Sequence, residues 1–196
     1  TGRGIWPNNT VISNRKLIFA VMMRKVAHEH CVANQVTIQR IARVTDHIIV
    51  HVRDPRQVLV SMAHHFFESG KEVGRFGVDS RQINSEDLVK TFDYLISNVF
   101  PVLVQYVCDW REASKSNVLE VSFFTYEEFL SNPGKYLSEV LNVLGVDRVS
   151  VNSNYVQHYR RGQADEWRTA LTAEQRASVN NAMPSELLQL FNWPEF

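Results

Sequence analysis

Apolar and polar positions along this chain switch between two spacings, and each switch marks an element. His47–Val52 (HIIVHV) is a short apolar run rich in β-branched residues, which predicts a buried strand. It ends at Arg53-Asp54-Pro55, and a helix from about Pro55 to Glu68 is predicted, since proline suits a first helical turn. The stretch Ser69–Ile83 holds Gly70, Gly74 and Gly77 among charged side chains and reads as a mobile surface loop. Those glycines follow a helix and lack the dinucleotide-binding spacing. Ser85 is placed to cap a long helix reaching about Arg111. Its apolar face carries Leu88, Phe92, Leu95, Ile96 and Val99, and Pro101 should kink or interrupt it. Val118–Phe123 (VLEVSF) predicts a second strand. Asn132-Pro133 opens a helix with Tyr136, Leu137, Val140, Leu141 and Leu144 on one face and Gly145 as its stop. Thr172-Ala173-Glu174-Gln175 is a capping-box pattern that opens another helix.

Apolar strands separated by helices predict an α/β fold, a mainly parallel central sheet flanked by helices. No repeat, low-complexity tract or linker divides the chain, so residues 1–196 are expected to form one domain. Ligands of parallel sheets sit at the carboxyl ends of strands, where Arg53 and Ser122–Tyr126 fall.

Composition changes this picture in one respect. Lys plus Arg equals Asp plus Glu at 21 each, which removes the electrostatic case for nucleic-acid or anionic-membrane partners. Any anion site must therefore be local. No apolar run approaches ~18 residues, so no membrane span is expected. Cys31 and Cys108 are far apart, lack metal-ligand spacing and read as free thiols in a reducing compartment. Asn8-Asn9-Thr10 is a lone glycosylation sequon.

Three segments carry chemistry. Arg53 stands at a strand end, with Ser61 eight residues on in the following helix. A planar, charged donor fork and a short hydroxyl donor together suit a phosphate monoester. The same Asp54-Pro55-Arg56 stretch also reads as a plain turn with surface charges. Tyr126 follows the second strand and reads first as a core tyrosine, with an aromatic beside a ligand as the alternative. In Tyr159-Arg160-Arg161-Gly162, the paired arginines supply charge and Gly162 permits close backbone approach to a phosphate; a solvated loop is the plainer alternative.

These segments resemble the sulfotransferases that use 3′-phosphoadenosine 5′-phosphosulfate. Val52-Arg53-Asp54-Pro55-Arg56-Gln57-Val58-Leu59-Val60-Ser61 is similar to their Arg-Asp-Pro-Arg-Asp motif with its following Ser, Gln57 standing for the second Asp. The resemblance implies that Arg53 and Ser61 hold the 3′-phosphate, with Arg56 displaced from it. Phe124-Thr125-Tyr126-Glu127-Glu128-Phe129-Leu130 resembles their Tyr-Glu-Asp-Leu segment, which implies Tyr126 beside the adenine. Tyr159-Arg160-Arg161-Gly162-Gln163-Ala164-Asp165-Glu166-Trp167 resembles their Arg-Lys-Gly-x-x-Gly-Asp-Trp loop, with Arg161 for Lys, Asp165 for Gly and Glu166 for Asp. Arg160, Arg161 and Gly162 are thereby implied cofactor contacts. The order and spacing of the three agree from about Ile48 to Leu171, and the fold implied is the P-loop-NTPase-like sulfotransferase fold.

One family feature is absent from the printed sequence. A Pro-Lys-x-Gly-Thr-Thr loop should grip the 5′-phosphosulfate, yet Thr1-Gly2-Arg3-Gly4 has no lysine and only 52 residues precede Arg53. An N-terminal part missing from the sequence is the expected reason. The acceptor's proton needs a base. The resemblance places it near Lys25-Val26-Ala27-His28-Glu29-His30, where Glu29, His28 and His30 are alternatives; an extended backbone would set the two histidines on one face and Glu29 on the other. His28 and His30 have no third ligand for zinc, so no metal is expected.

The function expected is sulfuryl transfer from 3′-phosphoadenosine 5′-phosphosulfate to a hydroxyl or amine of a small-molecule or glycan acceptor. The product would be adenosine 3′,5′-bisphosphate. A non-catalytic module that keeps only the 3′-phosphate and adenine subsites is the alternative. A P-loop kinase relative is disfavoured because no Gly-Lys-Thr loop is present. A cytoplasmic location is expected, or a lumenal one if an N-terminal anchor precedes Thr1.

Overall fold

A computed structural model describes residues 11–23, 29–69, 78, 83, 87–146 and 164–195 of the chain. Two helices come first: α1 (Asn14–Met22) and α2 (Gln35–Ala42), the latter capped by Asn34, whose Oδ1 accepts the Thr37 amide at 2.8 Å. Strand β1 (His47–Val52) then leads into helix α3 (Pro55–Ser69), as the sequence predicts. Helices α4 (Leu88–Asn98) and α5 (Phe100–Ser114) precede strand β2 (Glu120–Thr125). Helices α6 (Tyr126–Ser131), α7 (Pro133–Val143), α8 (Trp167–Ala170), α9 (Ala173–Asn181) and α10 (Ser185–Leu190) complete the described elements.

The two strands pair in parallel, from His47 opposite Glu120 to Val52 opposite Thr125. Among the described residues this is a small two-stranded sheet in a mixed α/β domain. Its strands are joined through α3, α4 and α5, the kind of crossover that parallel pairing requires. Period-two alternation turns Ile48, Val50, Val52, Val121 and Phe123 to the core. On the opposite face His47 Nε2 lies 2.8 Å from Ser122 Oγ, and His51 meets the Tyr136 ring edge-on.

Several boundaries differ from the sequence reading. The helix expected from Ser85 to about Arg111 is interrupted near Pro101, as expected, and runs as two helices with Val99 between them. Pro101 lacks the N–H that would continue the ladder and instead occupies the first turn of α5, where that donor is not needed. The cap of α4 is Asp87, which accepts the Lys90 amide at 3.1 Å; Ser85 lies outside the described residues. Strand β2 starts two residues later than expected, because the Glu120 amide donates to the Asp46 carbonyl at 2.7 Å and so sets the register. Val118 is exposed instead. Of the expected loop beyond Ser69, Val78 and Ile83 alone are described, and Val78 is buried in the core. Glu29 and His30 lie between α1 and α2, outside any helix or strand.

Helix ends elsewhere follow the sequence. Gly145 takes a left-handed φ of 62°, and Val146 N–H reaches back to the Leu141 carbonyl at 3.0 Å, closing α7. Thr172 and Gln175 form the expected reciprocal box. Asn192 repeats the α7 ending after α10: its φ is 51°, and Trp193 N–H donates to the Leu188 carbonyl at 2.9 Å. That reversal turns Trp193 back against Phe191, with ring centroids 4.7 Å apart.

Arg56 departs most from expectation. The sequence allows a surface charge in the first turn of α3; the side chain is fully buried. Asp54 meets it as a two-point partner, with Nη2 to Oδ2 at 2.6 Å and Nε to Oδ1 at 3.0 Å. The remaining donor edge is spent on Asn180 Oδ1 at 2.6 Å and the Pro194 carbonyl at 2.9 Å. The Trp167 ring lies 4.2 Å from the guanidinium carbon. Burying a charge is tolerable only when its donors are satisfied in this way.

Arg56→Ala and Arg56→Lys should therefore both destabilise the fold in urea denaturation, the alanine change by ~3–5 kcal/mol, as for other broken buried pairs. The lysine variant keeps the charge but not the fork, and should rescue less than half. A loss below ~1 kcal/mol for alanine would show that the network contributes little.

Burial also predicts an alkaline weakness. The buried Cys31 thiol is pushed up to about 11 by desolvation, with the Glu29 charge adding to it. The Tyr106 hydroxyl is pushed up to about 12, again chiefly by burial and then by Cys31. Both acids keep their protons in the folded state after the unfolded chain has released them. Stability should fall as pH rises from about 9 to about 12, with Cys31 accounting for up to ~3 kcal/mol of the loss. Cys31→Ala should flatten the slope between about pH 9 and 11 in denaturant titrations. An unchanged slope would refute the assignment.

Candidate functional site

In-register pairing decides what meets at the top of the sheet. Val52 is opposite Thr125, so the next residues on the two strands, Arg53 and Tyr126, come side by side. The half-buried Arg53 lays its guanidinium over the Tyr126 ring, 4.2 Å from carbon to centroid. One residue further, the Asp54 amide donates to Glu127 Oε1 at 3.2 Å. Two segments 73 residues apart are thus locked at the carboxyl ends of a parallel pair. This is where α/β sheets bind their ligands.

The start of α6 is fixed locally. Thr125 accepts the Glu128 amide at 3.0 Å, and the Glu128 carboxylate accepts the Thr125 amide at 2.7 Å. Glu127 is left out of this box and points inward. Its Oε2 accepts the Trp193 indole N–H at 3.2 Å. Burial raises the Glu127 carboxyl above its ordinary range, partly offset by amide and indole donors; the Asp54 charge adds to the rise.

Ser61 is half-buried on α3. Gln57, Ser61 and His64 stand at i, i+4 and i+7, so they share one helical face. Both flanking residues hold the start of α8: Gln57 Oε1 accepts the Trp167 amide at 3.4 Å, and His64 Nε2 lies 3.8 Å from Glu166 Oε1. Arg160, Arg161 and Gly162 fall outside the described residues.

Two of the three base candidates lie within the described residues. Glu29 and His30 are exposed between α1 and α2, and His28 lies outside the described residues. Among the described residues, no group of three or more His, Cys, Asp or Glu could hold a metal ion. No described helix is long and apolar enough to cross a membrane. Cys31 and Cys108 are free thiols.

Sequence reasoning missed Glu127 and Trp193, and it undervalued Gln57. The Thr125-x-x-Glu128 box was legible as a helix start and would have left Glu127 as the acidic residue with another task. Trp193 gives no such signal, because its partner is 66 residues away.

A family model for the sulfotransferase domain matches residues 30–159. The chain belongs to the sulfotransferase domain family. No curated protein and no solved structure matches it. The match spans β1, α3, β2, α6 and α7, and so includes Arg53, Ser61 and Tyr126. It stops immediately before Arg160 and begins at His30, just past His28 and Glu29. A sulfotransferase is a transferase of sulfuryl groups, and the Arg53–Tyr126 contact lies inside the part that defines this one.

Proposed function

We propose that this sulfotransferase domain takes its sulfuryl group from 3′-phosphoadenosine 5′-phosphosulfate and passes it to a hydroxyl or amine of a small-molecule or glycan acceptor. The observation that carries the reading is the guanidinium of Arg53 lying over the Tyr126 ring at the paired strand ends. A guanidinium lying on a ring directs its N–H groups outward in its own plane, the geometry that suits a phosphate fork. An aromatic ring beside it suits a purine. The donor set therefore fits a nucleotide that carries a phosphate close to its base.

In this reading Arg53 and Ser61 hold the 3′-phosphate, Tyr126 lies by the adenine, and Arg160, Arg161 and Gly162 close on the same phosphate. The small parallel sheet is proposed to be part of a P-loop-NTPase-like fold, and the free thiols fit a cytoplasmic setting. The donor supplies an activated sulfuryl group. The acceptor oxygen forms the new S–O bond as the bond to the 5′-phosphate oxygen breaks, and the acceptor proton passes to Glu29, His28 or His30.

Adenosine 3′,5′-bisphosphate should bind more tightly than adenosine 5′-monophosphate by tenfold or more, since charge-assisted contacts contribute ~1.5–3 kcal/mol each. Arg53→Ala should remove most of that advantage, and Arg53→Lys should restore part of it. Calorimetry finding equal affinities in the wild-type protein would overturn the reading.

One of Glu29→Gln, His28→Asn and His30→Asn should lower turnover by ~10²-fold while leaving nucleotide affinity intact, as loss of a general base does. Near-normal turnover in all three would place the base elsewhere.

A further inference from the structure

We propose that Glu127 is a positioning residue of the nucleotide subsite, holding Arg53 in place through the Asp54 amide and itself held by the Trp193 indole. The inference rests on the donor reading above and extends it to the segment after α10.

Strand pairing ends at Val52 and Thr125, so the ladder no longer orients the backbone that carries Arg53. The next fixed point is the Asp54 N–H, which donates to Glu127 Oε1 at 3.2 Å. The Asp54 carboxylate is meanwhile engaged by Arg56. The peptide joining Arg53 to Asp54 is thus fixed by both the amide and the side chain of Asp54. Glu127 also directly follows Tyr126, the residue whose ring lies under Arg53. One carboxylate therefore sets the relative position of both halves of the Arg53–Tyr126 pair.

Helix start requirements do not explain Glu127, because Thr125 and Glu128 already complete the capping box. A first-turn glutamate gains from the helix dipole while remaining in water. This one is largely desolvated, and its carboxyl is raised accordingly. Its two donors, the Asp54 amide and the Trp193 indole, require an acceptor at both oxygens. Only a carboxylate offers that; glutamine would turn one end into a donor. The second donor is held in turn. Asn192 makes the left-handed reversal, Phe191 packs against the Trp193 ring, and Arg56 donates to the Pro194 carbonyl.

The test compares wild type, Glu127→Gln, Trp193→Phe and the double variant of the full chain. Calorimetry would measure adenosine 3′,5′-bisphosphate and adenosine 5′-monophosphate, with thermal melts recorded alongside. Glu127→Gln should weaken bisphosphate binding ~5–10-fold, by opposing two donors at Trp193, and leave the monophosphate within about twofold. Trp193→Phe should weaken it ~2–5-fold, and adding it to Glu127→Gln should restore affinity to that milder level, a non-additive result. Wild-type bisphosphate affinity in both single variants, whatever their melting temperatures, would overturn the proposal. So would equal losses for both nucleotides, or additive losses in the double variant. If Glu127→Gln does not fold, unchanged bisphosphate affinity in Trp193→Phe alone overturns it. Failure of the donor reading is separate: wild type would then not distinguish the two nucleotides, and both proposals would fall.

Discussion

A buried charge at Arg56 constrains most of this domain. An arginine taken out of water must find partners for its whole donor edge, and here they come from four places in the chain. Asp54 is local, while Trp167, Asn180 and Pro194 lie far along the sequence. The turn after β1, the short helix α8, the end of α9 and the segment after α10 are held to one point by the needs of one side chain. The apolar core fills the space this leaves. Ile41, Val50, Leu59, Phe66, Phe92 and Leu95 could pack in more than one way; a guanidinium fork is far less permissive.

The same turn begins at Arg53. Arg56 and Arg53 are three residues apart, carry the same charge and have opposite assignments. One is sealed among protein acceptors, and the other lies half-exposed on an aromatic face. Parallel pairing supplies the second half of the site without further specification, because alignment of Val52 with Thr125 leaves no choice about what stands opposite Arg53. A slip of one residue would put Glu127 there and turn every side chain of β2 over.

Much of this was legible in the sequence where the cause is local. β1, α3, the cap and stop of α7 and the box opening α9 depend on residues within a turn of one another, and they were read correctly. Arg53 and Tyr126 were both picked out, but their contact needs the strand register, which no single segment encodes. Arg56 shows the limit most clearly. An arginine in a helix's first turn is solvated unless distant residues converge on it, and neither Asn180 nor Pro194 advertises that role. Helices α1 and α2 were missed for a different reason. The local signal for α2 is the cap at Asn34, whose side chain accepts the Thr37 amide. The break at Val99 was half anticipated, since Pro101 was seen as an obstacle but not as the start of a new helix.

The span of the Arg56 bonds also bears on how the chain is made. Asp54 and Arg56 leave the ribosome together, but the Asn180 and Pro194 acceptors follow 124 and 138 residues later. At ~5–20 residues per second the delay is roughly 7–30 s. Through that interval the nascent β1–α3 unit carries a half-satisfied guanidinium that resists burial, and the emerging core cannot close fully around it. Completion must wait for the strap that follows α10. A ribosome that pauses upstream of residue 180 would therefore hold the nascent chain in an open form, dependent on whatever shields its apolar surface in the meantime.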